Sequence, residues 1–284
     1  MPLLAIYLVS APDRPGLVGR IGGFFFERGI NIVEAANHSD SDDEGAKFLM
    51  RIVADLEGVA TPRQELSAAF GTLCDELSAK WSVGYSDDVA RVALLVTRET
   101  TCLYDLILRQ RAGELPCIFP VIISNHAHLA PVAESFAIPF VHLPVTPETK
   151  AAQESAVLAR LATEKIELVV LARYMQVLSE RFLAEAPPVI NIHHGFLPAF
   201  QGAKPYHQAH HRGVKLIGAT AHYATRDLDQ GPIIEQDVQR VSHRERPEDL
   251  VRVGRDVERV VLSRAVRAHL ERRVIVCGRR TFVL

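Results

Sequence analysis

Cysteine, tryptophan and methionine are scarce in this chain of 284 residues, at four, one and three positions. Cys74, Cys102, Cys117 and Cys277 lie far apart and make no CxxC or other ligand spacing. That excludes a disulfide framework or zinc ribbon and leads us to expect reduced, mostly buried thiols in the cytoplasm. Long hydrophobic runs are also missing. No stretch approaches the roughly 18 uncharged apolar residues that a bilayer-spanning helix needs, so no membrane partner is expected. Met1 to Ser10 carries no Lys or Arg ahead of its short apolar run, and Asp13, Arg14 and Pro15 end it, which reads as a strand and not a signal peptide. Neither charge sign dominates, with 32 basic and 34 acidic side chains and a formal charge of −2. Such a balance gives no general attraction for a polyanion, and nucleic acid is not an expected partner. With 17 glycines, 16 prolines and 48% apolar residues, disorder and collagen-like repeats are excluded. Histidine, by contrast, is present at 12 positions, six of them between His193 and His222.

The length suggests two domains. Leu3 to Ser10 reads as a strand, and Leu17, Val18, Ile21, Phe24 and Phe25 fall on one face of a helix that ends near Gly29. Asn31 to Ala36 and Ala46 to Asp55 read as strands separated by a polar turn, His38 to Gly45. A helix from about Thr61 to Leu77 and a strand at Ser82 to Tyr85 complete a β-α-β-β-α-β order, the ferredoxin-like split unit. After Ser86-Asp87-Asp88 the strands become apolar without alternation: Arg91 to Val96, Pro120 to Ile123, Phe140 to Leu143, Leu168 to Leu171 and Val189 to Ile192. Helical stretches lie between most of them, which indicates a parallel sheet covered on both faces. Strands at Leu216 to Tyr223 and Ile233 to Val238 follow, then a helix from Pro247 to about Leu270, with Pro, Glu248 and Asp249 at its start. The expected fold class is α/β, a βαββαβ unit over residues 1–86 and a Rossmann-like doubly wound domain over residues 87–284.

The sharpest stretch is Asn191-Ile192-His193-His194-Gly195-Phe196-Leu197-Pro198, directly after a predicted parallel strand, where doubly wound sheets place ligands. Side chains alternate along a strand, so Asn191 and His193 point to one side and could face one reacting carbonyl. Equally, Asn191 could cap the loop and His193 make an ordinary polar contact. A second stretch, Asp227-Leu228-Asp229-Gln230-Gly231-Pro232, falls between two predicted strands. A carboxylate there could orient His193 and position a water, or the segment could be a plain turn. A metal site is the rival use of the histidines. HExxH is absent, however, and the close pairs His193-His194 and His210-His211 are sequence neighbours that a strand would point apart, so no metal is expected.

Together these stretches carry a resemblance. NIHHGFLPAFQGAKPYHQAHHRGVKLIGATAHYATRDLDQGPIIEQD, residues 191–237, resembles the signature of folate-dependent formyl transferases and hydrolases, which implies a catalytic trio of Asn191, His193 and Asp229. The paired His, AKPYHQA and IGATAHY are most similar to the formyltetrahydrofolate deformylases, and LARYMQVLS at Leu171 to Ser179 extends the match across nearly all of residues 90 to 284. The amino-terminal unit resembles an ACT domain through SAPDRPGLVGRI and GINIVEA. One departure is Gly195, where the family usually has Ser, which removes a hydroxyl and leaves a more permissive backbone.

The resemblance implies hydrolysis of 10-formyltetrahydrofolate by water to formate and tetrahydrofolate, with formate available for purine biosynthesis and with no separate cofactor. Asn191 and a protonated His193 would stabilise the oxyanion, His193 would protonate the leaving nitrogen, and Asp229 would orient the imidazole and help deprotonate the water. Arg173, Tyr174, Met175, Val177 and Leu178 would line one side of a folate slot and Thr225 to Asp229, with Leu228, the other. Without the family, Met175 and Val177 read as helix-start packing. His194, Lys204, Tyr206 and His207 would shape the deformylase side of the pocket, or lie on the surface. In the ACT unit, Asp13, Pro15 and Gly16, with Asn31, would sense an amino acid, glycine or methionine, or the unit would serve only to pair chains into a homodimer or homotetramer. Two alternatives stay open: formyl transfer to an amine acceptor, and a non-catalytic folate- or amino-acid-binding regulator. The segment Val96 to Leu103 bears on the first. It has no glycine to cradle an acceptor's phosphate and includes Glu99, although Arg98 could still bind an anion.

Overall fold

A computed structural model describes residues 2–42, 45–199 and 205–284. It divides into two compact units, one made of Met1–Val89, Arg272–Ile275 and Phe282–Leu284, the other of Ala90–Glu271 and Val276–Thr281.

The first unit contains β1 (Leu4–Pro12), α1 (Leu17–Phe26), β2 (Asn31–Asp42), β3 (Gly45–Asp55), α2 (Arg63–Glu76) and β4 (Lys80–Tyr85). Its antiparallel sheet has the order β2-β3-β1-β4. Buried and half-buried residues alternate along β1, the period of a strand with one face on a core. That face carries Tyr7, whose ring lies 4.6 Å from Phe70 of α2 and 5.2 Å from Phe25 of α1. Gly29 ends α1 because the chain turns left-handed there (φ 64°); the Ile30 amide then donates to the Phe25 carbonyl, as in a Schellman cap. The expected polar turn from His38 to Gly45 is mostly strand. Asn37 pairs with Met50 and the ladder continues through Ser41 opposite Ala46, so backbone pairing overrides the polar composition of His38 to Ser41.

The second unit contains β5 (Ala90–Val96), α3 (Thr101–Arg111), β6 (Cys117–Ser124), α4 (Ala130–Ser135), β7 (Phe140–His142), α5 (Lys150–Thr163), β8 (Leu168–Ala172), α6 (Glu180–Glu185), β9 (Val189–His193), α7 (Pro205–His211), β10 (Leu216–Tyr223), β11 (Ile233–Arg240) and α8 (Pro247–Leu270). The sheet order is β11-β10-β9-β8-β5-β6-β7. β5 to β9 run parallel and β10 and β11 antiparallel. Every residue of β8 is buried, as expected of a parallel strand covered on both faces. The chain moves outward from β5 through β6 and β7, then returns to β8 on the other side of β5. This reversal opens a crevice at the carboxyl ends of these strands. There the Met175 amide, after β8, donates to Thr97 Oγ1, after β5, at 3.1 Å. A final hairpin, β12 (Val274–Cys277) and β13 (Arg280–Val283), has no counterpart in the expected elements.

Candidate active site

The site is built on two neighbouring strands of the second unit. Asn191 and His193 are two residues apart at the end of β9, and the antiparallel register sets His222 of β10 directly opposite Asn191. Directly opposed residues share a face and touch. The Asn191 carboxamide Nδ2 lies 3.2 Å from His222 Nε2. His222 Nδ1 lies 3.0 Å from the Tyr223 carbonyl, which can only accept, so Nδ1 carries the hydrogen. In the neutral ring Nε2 therefore accepts one Asn191 N–H, and the other N–H of that amide is left for the cavity.

Asp229 arrives from the loop after β10, in a left-handed conformation (φ 56°) that Asp tolerates better than most residues. Its Oδ2 lies 3.2 Å from His193 Nδ1 and its Oδ1 3.7 Å from His222 Nε2. Burial pushes the Asp229 carboxyl up, but the N–H of His193, with a further contribution from His222 when that ring is protonated, outweighs it and holds the group well below the usual carboxylate range. Gly231 lets the loop approach: a Cβ there would overlap the Tyr223 carbonyl oxygen and lie 2.9 Å from its carbon. Thr220, opposite His193, steadies the chain beyond it by donating to the Gly195 carbonyl and accepting from the Leu197 amide, at 2.9 and 3.0 Å.

His193 is 4% exposed, and its Nε2 is buried with no hydrogen-bond partner among the described residues. His193 lines a cavity of about 570 Å³. Asn191, Asp229 and all seven expected folate-side residues line it: Arg173, Tyr174, Met175, Val177, Leu178, Thr225 and Leu228. Tyr174 is buried and accepts from Gln153 Nε2 at 2.9 Å. Met175, Val177 and Leu228 are 57, 55 and 58% exposed. Helix-start packing is thereby ruled out for Met175 and Val177, which lie on an irregular segment ahead of α6 and form an apolar mouth.

The cavity's remaining wall comes from α7 and α8. Tyr206 donates to Glu258 Oε1 at 2.7 Å, and Arg173 Nη1 lies 3.4 Å from Glu258 Oε2. Glu258 is 1% exposed, and burial raises its carboxyl despite Arg173 and Tyr206. His194 borders the same wall, its ring 5.4 Å from His193 and 6.2 Å from Tyr206. Burial, with Arg173 and His193 nearby, pushes His194 down to about 3. His207 also lines the cavity, whereas Lys204 lies outside the described residues. Among the described residues no group of three or more His, Cys, Asp or Glu is placed to hold a metal ion, and no helix is long and apolar enough to cross a membrane.

The sequence reading missed His222 and Glu258. His222 lay in plain view within IGATAHY, but its pairing with Asn191 depends on the β9–β10 register. The four ACT residues do not converge within this chain. Asp13, Pro15 and Gly16 follow the end of β1 at Pro12, opposite Lys47, whereas Asn31 sits opposite Asp55, which pairs with Leu4 at the start of β1. Eight residue steps of strand, about 26 Å, separate those ends.

A family model described as formyl transferase matches residues 90–266, and one described as ACT domain matches residues 7–71. A formyltetrahydrofolate deformylase of Synechocystis sp. is 52% identical over 281 residues, 99% of this chain and 98% of that protein. This chain belongs to the formyltetrahydrofolate deformylase family. A deformylase of Bacillus subtilis is 45% identical over 277 residues, 97% of this chain and 92% of that one. The crystal structure of the deformylase from Pseudomonas syringae pv. tomato matches with a TM-score of 0.96 at 44% identity, covering 100% of this chain and 95% of its own.

Proposed function

We propose that the chain hydrolyses 10-formyltetrahydrofolate to formate and tetrahydrofolate, with the pterin held between the segments 173–178 and 225–229. The observation that carries the chemistry is His193, which lines the cavity beside Asn191 with its Nδ1 tied to Asp229 and its buried Nε2 unpartnered among the described residues. With Nδ1–H donating to the carboxylate, Nε2 of the neutral ring holds the lone pair and can take a proton from an attacking water. The water oxygen bonds to the formyl carbon, and the charge that develops on the formyl oxygen meets the free Asn191 N–H. A preorganised donor of that kind contributes about 3 kcal/mol to the transition state. Nε2–H then gives its proton to the departing folate nitrogen as the C–N bond breaks.

Asp229 stabilises the imidazolium in this scheme. It is a poor base for the water itself, since both oxygens face imidazoles and the carboxyl is held well below its ordinary range. This differs from the role expected of it from the sequence. The folate is substrate and product, so no further cofactor is proposed. The four cysteines are free, consistent with a reducing cytoplasmic setting.

Formate release from 10-formyltetrahydrofolate tests the reading: His193→Ala and Asp229→Ala are expected to lose at least about 10³-fold in turnover. Near wild-type turnover in either well-folded variant would sink the assignment. For the first unit we propose amino-acid sensing at the Asp13–Gly16 loop of one chain with Asn31 of a second copy, in a homodimer or homotetramer. Calorimetry with glycine and methionine checks it, and absence of binding by both leaves pairing of chains as the unit's role.

A further inference from the structure

The inference concerns the wall of α7 and α8, and it rests on the hydrolytic reading above. Folate, held by the segments after β8 and β10, leaves this wall as the remaining approach to His193. An enzyme that passes its formyl group to an amine needs room there and polar groups free to hold the acceptor. Among the described residues, Tyr206 occupies this wall and its charged groups are turned toward one another. Its carboxylate, Glu258, is taken by Tyr206 at 2.7 Å and Arg173 at 3.4 Å. Its cation, Arg255, is taken by Glu99 at 2.9 Å, and the same carboxylate group accepts from the Thr100 and Thr101 amides where α3 begins. Tyr206 is 5% exposed and packs on Gly254, where a Cβ would come within 2.6 Å of its Cε1. An ordinary side chain at 254 would push the ring away.

We propose that Tyr206, clamped between Gly254 and Glu258, is the specificity-determining residue that reserves the acceptor side of the cavity for water. Removing the ring admits a small primary amine. Its nitrogen attacks the formyl carbon, the bond to the folate nitrogen breaks, and the amine's proton ends on that nitrogen, giving a formylated amine in place of formate.

The test compares wild type with Tyr206→Ala and with Tyr206→Leu, which keeps an apolar group over Gly254 should the alanine variant not fold. Each is given 10-formyltetrahydrofolate and excess glycinamide, and formate and formylglycinamide are both quantified. Wild type is expected to yield formate alone. A folded variant is expected to yield formylglycinamide at least about tenfold above the detection limit that wild type sets, the scale on which pocket size discriminates. Wild type that formylates glycinamide, or a folded variant that yields formate alone or no product, overturns the assignment of Tyr206. Failure of wild type to release formate even without amine would instead remove the hydrolytic reading.

Discussion

Replacing Gly231 by alanine is expected to uncouple Asp229 from His193 without altering the chemical identity of any proposed catalytic side chain. A Cβ at 231 would overlap the Tyr223 carbonyl oxygen, lie 2.9 Å from the carbonyl carbon and stand 3.2 Å from His222 Nδ1. The Tyr223 peptide cannot step aside easily. Its carbonyl accepts from His222, and its amide donates to the Pro232 carbonyl at 3.0 Å. Relief must therefore come from the loop that carries Asp229. Carbon atoms rest at about 3.5–4.0 Å, so the loop has to shift by about 1 Å. A shift of that size stretches the 3.2 Å contact of Asp229 with His193 beyond useful hydrogen-bond length. Misplacement by about 1 Å costs on the order of 10²-fold in rate, or about 2.7 kcal/mol of barrier. The crowding itself destabilises by about 1–3 kcal/mol, so formate release should be measured well below the variant's melting temperature, with circular dichroism confirming the folded state. Turnover within about threefold of wild type would refute the argument that this glycine sets the position of Asp229.

Three other outcomes follow from the same geometry. His222→Ala frees the Asn191 amide to rotate and is expected to lower kcat by about 10- to 100-fold with a smaller change in KM; His222→Gln, which offers an acceptor in a similar place, should recover part of it. His194 has its pKa lowered from 6.5 to about 3, so the unfolded chain binds its proton first. The corresponding stability is complete above about pH 6.5 and is lost as pH falls toward 3; His194→Asn should flatten the melting temperature against pH in that window, and an unchanged slope would count against burial of a neutral ring. Met175→Ser and Leu228→Ser alter exposed side chains, so unfolding free energy should stay within about 0.5 kcal/mol while KM for the folate rises; a large loss of stability would show that these residues support the core.

The parts of this molecule legible in its sequence are those fixed by local spacing. The alternation along Leu4–Pro12, the unbroken apolar runs of β5 and β8, and the one-residue gap between Asn191 and His193 all follow from strand geometry. What resisted reading depends on partners far away in the chain. His38 to Ser41 look like a turn until Ala46 to Leu49 are seen opposite them. Glu258 reads as a charged residue on an amphipathic helix, and only the approach of Arg173 and Tyr206 explains its burial. Asn31 and Gly16 are close in sequence, yet the β1–β3 register sends them to opposite ends of a sheet.

The backbone of Arg173 carries a consequence for anyone who would redesign this enzyme. Its φ of 65° is one that an L-residue holds at a cost of about 1–2 kcal/mol, and glycine would hold it freely. A procedure that scored backbone strain alone would therefore choose Arg173→Gly as a gain. The same change would delete the guanidinium that faces Glu258, strand a buried carboxylate, and loosen the wall against which Tyr206 stands. Thermostabilised versions of this chain should be sought elsewhere in the fold, because here relief of backbone strain would leave the buried Glu258 without its cation.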